Sequence, residues 1–327
     1  MGEPDMDRAE PGDLGGPKPM GSHAGCLPNP RVAILLACYN RREKTLACLH
    51  AALDNRPSTA VDISVILVDD GSTDGTASAV AQAFPQVKIL AGDGNLYWAG
   101  AMRLAMAEAG RQGADLVLWL NDDTILFPGG LERLLQSWEG RARSGLRPIL
   151  VGATCDHSGR VTTYGGVSRG LGWRRLRFVT LPAPDMSPTP CDTMNGNCTL
   201  IPMEHVLSLG SIPPAYRHAL GDFDFGLRAK AAGIPILLLP GWVGTCDWND
   251  SSHSMNDSSL PVRQRWRLAM GIKGLPPRSW WQFVHTHAGL LAPLAFTWPY
   301  LRLLISGTCM DLRRWWGGAG APPRGKS

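Results

Sequence analysis

No Cys-x-x-Cys pair occurs among the eight cysteines of this chain, and their spacing has no pairing rhythm, so a disulfide framework is not expected. Cys38, Cys48 and Cys198 lie inside apolar runs, as buried free thiols do. A reducing cytoplasm suits that pattern. Strong charge of one sign is also missing: 32 Lys and Arg stand against 28 acids, for a formal net charge of +4. Apart from Arg263 to Arg267 and a few late arginines the cations are scattered, which argues against a nucleic-acid partner. Residues 1–30 lack the apolar stretch of a signal peptide and any periodicity; they read as a disordered tail without chemistry. There is no internal repeat. What remains is 327 residues at 44% hydrophobic, enough to bury a full core in one large or two modest domains.

The most informative feature is an apolar strand that ends in paired acids, Asp115-Leu-Val-Leu-Trp-Leu-Asn-Asp122-Asp123-Thr124. Adjacent carboxylates at a strand's carboxyl end are costly unless a cation or ligand neutralises them, and in open α/β sheets that edge is where ligands sit. Capping of the helix that begins near Pro128 is the competing explanation. A second strand repeats the design, Ile63-Ser-Val-Ile-Leu-Val-Asp69-Asp70-Gly71-Ser72-Thr73-Asp74-Gly75. Gly71 allows a tight turn, and Asp74 or Ser72 is placed to cap the next helix. Two such ends in one sheet share one crevice.

Glycine-rich phosphate loops are absent. The first strand ends Ala37-Cys38-Tyr39-Asn40-Arg41, where a dinucleotide fold needs glycines, and no Walker loop is present. If glycines do not hold phosphates, a metal on Asp122 and Asp123 must.

From Arg31 strands and helices alternate: strand Val32–Cys38, helix Glu43–Leu53, the strand ending at Asp69, helix Thr76–Phe84, strand Val87–Leu90, helix Tyr97–Ala109 and strand Leu116–Leu120. This order predicts an α/β fold with a mostly parallel sheet, right-handed crossovers and helices on both faces. After Pro128 the rhythm changes to a helix from Gly130 to about Trp138, an apolar run Ile149–Ala153, a turn at residues 156–160 and a Pro-rich loop at 182–190. A strand at Cys198–Ile201, a helix at Asp222–Ala232 and a buried strand at Ile234–Leu239 follow. This part reads as more antiparallel.

Four motifs then match a known family in order and spacing: Val32-Ala-Ile-Leu-Leu-Ala-Cys-Tyr-Asn40, Val68-Asp-Asp-Gly-Ser-Thr-Asp-Gly75, Leu120-Asn-Asp-Asp123 and Gly221-Asp-Phe-Asp-Phe-Gly-Leu-Arg-Ala229. They resemble the inverting family 2 glycosyltransferases of GT-A fold, over about Arg31 to Trp248. Gly92-Asp-Gly-Asn-Leu-Tyr-Trp-Ala-Gly-Ala-Met-Arg103 and Lys273-Gly-Leu-Pro-Pro-Arg278 resemble the bacterial branch with rhamnosyltransferase-like enzymes of surface-polysaccharide assembly.

The resemblance implies roles residue by residue. The backbone around Ala37, Cys38, Tyr39 and Asn40, with Asp70, would hold the nucleobase. Asp122 would face the ribose or the metal, and Asp123 would coordinate Mg²⁺ or Mn²⁺ on the diphosphate of a nucleoside-diphosphate sugar. Asn121 stands where many relatives carry another Asp. Asp222, at the start of the later helix, would be the catalytic base; without the resemblance it reads as a helix-dipole or N-cap acid. Asp224, two residues on, points elsewhere and is structural or acceptor-binding. Asn195 and Asn197, in Met194-Asn-Gly-Asn197, form either a backbone turn or a loop touching the acceptor sugar. Trp98 lines the donor pocket or packs in the core. His253, in the polar loop beyond Asp250, is a candidate third metal ligand, as are His285 and His287.

The catalytic domain is expected at residues 31–250, with a C-terminal extension at 251–316 and a disordered end at 317–327. The extension holds Trp280, Trp281, Trp298, Trp315 and Trp316 with Arg302, Arg313 and Arg314, and its apolar stretch is broken by Pro293, Pro299 and Arg302. Those breaks argue against a spanning helix. Short amphipathic helices at the inner face of the cell membrane, where a lipid-linked acceptor would be met, are one expectation; a helical cap or a homodimer contact is the other. The activity expected is inverting, metal-assisted, single-displacement transfer of a sugar to a hydroxyl of a glycan or lipid-linked acceptor. A nucleotidyltransferase making an activated sugar and a non-catalytic sugar-binding module are the alternatives.

Overall fold

A computed structural model describes residues 29–54, 57–58, 60–172, 175–248, 254–257 and 259–317, with side chains described through 305. The expected alternation appears as β1 (Arg31–Cys38), α1 (Arg42–Asp54), β2 (Asp62–Asp69), α2 (Thr76–Ala83), β3 (Lys88–Ala91), α3 (Tyr97–Arg111) and β4 (Leu116–Leu120). It continues through β5 (Ile125–Leu126), α4 (Gly130–Arg143), β6 (Ile149–Cys155), β7 (Thr162–Tyr164), β8 (Gly166–Arg169), β9 (Phe178–Thr180), β10 (Thr189–Pro190), β11 (Thr193–Met194) and β12 (Cys198–Pro202). The last elements are α5 (Met203–Leu209), α6 (Gly221–Ala231), β13 (Ile236–Thr245), α7 (Val262–Met270), α8 (Pro277–His287) and α9 (Ala292–Gly317).

The main sheet runs β10-β13-β6-β12-β4-β1-β2-β3. β1 pairs in parallel with β2 and β4, and β2 with β3. β12 lies antiparallel between β4 and β6; an apolar run such as Cys198–Ile201 announces a buried strand but not its direction. The fold is therefore mixed α/β, with a parallel first half and a more antiparallel second half, as expected, although β13 runs parallel to β6.

β1 shows why the sheet is covered on both faces. Side chains alternate along a strand, so Ala33 and Leu35 join one core with α3, while Val32, Ile34 and Leu36 join another with α1 and α4. Register then carries the chemistry to one edge. Cys38 pairs with Asp69 and Leu35 with Trp119, so the residues after β1, β2 and β4 emerge side by side.

The C-terminal extension is bound to the rest of the chain through α8. Trp280, Phe283, Val284, Ala288 and Ala292 are buried in the core that also contains α3 and α6 residues. Trp280 Nε1 donates to the Phe296 carbonyl at 3.2 Å, and Ser279 Oγ to the Ala215 carbonyl at 2.7 Å. α9 departs from the expectation of short helices, since it runs through Pro299 for 26 residues. Phe296, Tyr300 and Leu303 pack inward, so tertiary packing outweighs the hydrogen bond that Pro299 removes. Among the described residues no helix is long and apolar enough to cross a membrane.

Candidate active site

The carboxylate pair after β4 meets one cationic side chain from the loop after β1. Arg41 Nη1 lies 2.7 Å from Asp122 Oδ1, and Nη2 lies 2.5 Å from Asp123 Oδ2. Asp122 is buried, and burial pushes its carboxyl up to about 7 even though Arg41 pulls it down. A carboxylate so costly to charge needs a cation beside it. Asp123 is more open, with 14% of its side chain exposed, and its Oδ1 accepts from Cys246 Sγ at 3.5 Å. Two hard oxygen ligands converging on one positive centre suit Mg²⁺ or Mn²⁺, with Arg41 as the stand-in cation. Among the described residues no group of three His, Cys, Asp or Glu is arranged to hold a metal. His253 lies outside the described residues. His285 rests against Trp281, and His287 is engaged with Asp224; neither is brought to the pair.

Asp70 fastens the adjoining wall. Its Oδ1 accepts the backbone N–H of Gly94 (3.0 Å) and Leu96 (3.1 Å), and its Oδ2 that of Tyr97 (2.7 Å). A Cβ at Gly92 would come 2.6 Å from Asp70 Oδ1, so only glycine admits this approach. Asp74 ties the two helix starts together, accepting from the N–H of Thr76 and of Arg42 at 3.0 Å each. Asn40, with φ 51°, accepts the Thr73 N–H and gives its own to Ser72 Oγ. Tyr39 is exposed while Ala37 and Cys38 are part-buried and buried in the strand end, and burial pushes the Cys38 thiol well above the usual range. The six cysteines whose side chains are described are free and buried.

A further acid comes from α6. Asp222 Oδ2 accepts the Gly196 N–H at 3.1 Å and Oδ1 the Phe223 N–H at 2.9 Å. Desolvation raises its carboxyl to about 6 against those bonds. The side chain is only part-covered. Gly196 in turn abuts Trp98: a Cβ there would sit 2.4 Å from the indole. Trp98 packs on Trp119 and donates from Nε1 to Asn121 Oδ1 at 3.0 Å, which is the packing role expected for it. A continuous wall thus links Asp222, Gly196, Trp98 and Asn121 to Asp122 and Asp123. Three of the four non-glycine residues with left-handed backbone among those described, Asn40, Tyr97 and Leu220, flank this crevice. Backbone strain gathers at such sites when surrounding structure over-determines it.

Asn195 and Asn197 act locally as turn residues. Asn195 Oδ1 accepts from Gly165 N–H, the Asn197 carbonyl accepts from Asn121 N–H, and Asn197 Nδ2 donates to Cys246 Sγ.

Asp224 points away from the crevice. It is 1% exposed, accepting from Tyr216 Oη at 3.1 Å and paired with Arg228 Nε at 2.8 Å and His287 Nε2 at 2.9 Å. Of the two roles expected for it, these surroundings fit the structural one. Burial opposes its ionisation, yet His287 and Arg228 hold the carboxyl below its ordinary value. A group held low in the folded state contributes stability above its unfolded pKa and loses it as pH falls. Asp224→Asn is therefore expected to cost about 3–5 kcal/mol in urea unfolding near neutral pH, the usual penalty for breaking a buried pair, and to flatten the loss of stability on acidification. An unchanged urea midpoint would contradict this.

Sequence reasoning named the acids and missed Arg41, although its place directly after β1 and opposite β4 was a usable signal. It weighed His287 only as a metal ligand, because 63 positions separate it from Asp224.

Residues 33–181 match the family described as Glycosyl transferase family 2. The N-acetylglucosaminyl-diphospho-decaprenol L-rhamnosyltransferase of Mycobacterium tuberculosis is 28% identical over 230 residues, covering 64% of this chain and 73% of that protein. Human polypeptide N-acetylgalactosaminyltransferase 15 is 25% identical over 259 residues, 73% of this chain and 39% of that protein. Among solved structures, the mannosyltransferase PcManGT from Pyrobaculum calidifontis, in complex with GDP-Man and Mn²⁺, superposes with TM-score 0.50 at 15% identity. It covers 94% of this chain and 80% of that one, a likeness of fold.

Proposed function

We propose that this chain, a glycosyltransferase whose residues 33–181 form a family 2 domain, transfers a sugar with inversion from a nucleoside diphosphate to a hydroxyl of a polyprenyl-diphosphate-linked sugar. The observation that carries this reading is the run of contacts from Asp222 through Gly196 and Trp98 to Asn121, which links a part-covered carboxylate raised to about 6 to the cation-seeking pair that follows Asn121. Asp222 is ionised at neutral pH yet basic enough to take the proton of an acceptor hydroxyl. Asp122 and Asp123 would hold a divalent ion, Mg²⁺ or Mn²⁺, which would supply positive charge beside the donor diphosphate. The strand end at Ala37, Cys38, Tyr39 and Asn40 receives the nucleobase, and Asp70 shapes that end by holding residues 94–97. Trp98 presents its ring to the donor sugar.

The rhamnosyl and lipid-diphosphate chemistry in the name of the mycobacterial relative suits this chain as donor sugar and acceptor, in cell-wall polysaccharide assembly at the cytoplasmic face of the membrane. A thermal-shift panel of nucleoside diphosphates and their sugars with Mn²⁺ tests the donor class, because a ligand that binds only the native state raises the melting point. No shift with any nucleoside diphosphate would overturn the reading. Since protonation of Asp222 removes the base, turnover at saturating donor is expected to rise with pH through about 6. A flat profile between pH 5 and pH 8 would count against Asp222.

The extension docks the enzyme on anionic lipid in this account. Leu294, Trp298 and Leu301 are exposed at spacings of four and three along α9, and Leu290 is exposed just before it. Residues 251–327 carry ten Lys and Arg against two Asp. An apolar stripe beside basic charge suits an anionic interface. Full-length protein should co-sediment with anionic vesicles at low salt, and Leu294→Glu with Trp298→Glu should abolish this. If the wild type stays in the supernatant, the stripe serves a second copy of the chain instead.

A further inference from the structure

Arg41 has a place in the crevice that its neighbours do not explain. Its guanidinium bridges Asp122 and Asp123 at 2.7 and 2.5 Å, so both ligands of the proposed metal position are already taken by a fixed positive charge. The backbone on either side is pinned. The Arg41 carbonyl accepts the Thr45 N–H at 2.9 Å, Arg42 N–H is held by Asp74, and Asn40 by Ser72 and Thr73. The side chain is the free part of this unit: it is long, and 34% of it is exposed. It can leave the carboxylates without moving the loop.

We propose that Arg41 is a resident counter-cation that competes with the divalent metal for Asp122 and Asp123. In the free protein it holds the two acids close together and aimed at one point, which lowers the cost of assembling the site. The same contact makes the metal displace a bidentate, charge-assisted pair before it can bind. Metal alone is therefore held weakly by the wild type. The inference rests on the metal reading of Asp122 and Asp123 given above.

The test is Mn²⁺ binding to the full-length protein without any nucleotide, followed by calorimetry and by the Mn²⁺-induced shift in melting temperature. In Arg41→Gln the competitor is gone, so affinity should rise at least about tenfold and the thermal shift should grow, the factor expected for losing one close, partly buried charge pair. Melting without metal should fall, because two acids lose their partner. Arg41→Lys keeps a charge but cannot bridge both carboxylates, so its affinity should lie between the two; it carries the comparison if Arg41→Gln does not fold. Mn²⁺ binding no tighter in either variant than in the wild type overturns the proposal. Asp123→Ala separates the two claims. Binding that vanishes in Asp123→Ala but is unaffected by Arg41 refutes the counter-cation alone, whereas Mn²⁺ binding that survives Asp123→Ala refutes the metal reading beneath it.

Discussion

Asp222→Asn should lower turnover at saturating donor by roughly 10² to 10⁴-fold, the usual worth of a general base, with donor and metal affinity kept. Asn preserves the volume and can still accept the Gly196 N–H that the carboxylate accepts at 3.1 Å, so the turn at Met194–Asn197 should survive. What it cannot do is take a proton. The comparison with Asp224 is informative because the two acids lie two residues apart on α6 yet face different surroundings. Asp222 is part-covered beside the crevice, and Asp224 is buried against Tyr216, Arg228 and His287. Loss at Asp222 should appear in turnover with a native melting curve; loss at Asp224 should appear in stability. Near-native turnover of Asp222→Asn, or a defect confined to donor binding, would place the base elsewhere.

Asp123→Ala should weaken metal-dependent binding of a nucleoside diphosphate by more than about 100-fold, beyond the 10 to 100-fold typical of losing only an outer partner of a metal ligand. Its fold should hold. The side chain lies at the rim of the crevice, and Arg41 retains Asp122 at 2.7 Å when Asp123 is gone, so no buried charge is stranded. Calorimetry with and without Mn²⁺ reads this directly. Equal affinity and equal metal dependence in wild type and variant would remove Asp123 from the metal site.

How much of this was legible in the sequence follows from the range of each interaction. Strands β1, β2 and β4 could be read because burial on both faces demands uninterrupted apolar runs, and their acidic ends stood out against those runs. The shared crevice followed from parallel register, which sets the residue after Cys38 beside Asp70 and near Asp122. Less legible were contacts between positions that no local pattern links. Arg41 is a single cation in a loop, and only the register of β1 on β4 brings it to the pair. His287 and Asp224 meet because α8 packs on α6, a tertiary fact with no periodic signature. The two tryptophans at 280 and 281 look alike in sequence, yet one is 8% exposed in the core and the other 43%, since adjacent helical positions face different ways. The parallel pairing of β13 with β6 was hidden for a similar reason: a strand buried on both sides carries no mark of its direction.

The account stands most directly on the stereochemistry of the product. A single displacement, with Asp222 taking the acceptor's proton and the diphosphate leaving toward Asp122 and Asp123, requires the new bond to form on the face opposite the departing group. The measurement is NMR of the anomeric configuration when the enzyme is given nucleoside-diphosphate L-rhamnose and a polyprenyl-diphosphate-linked N-acetylglucosamine. The account predicts one glycosidic product of configuration opposite to the donor's. A product that retains the donor's configuration would contradict it.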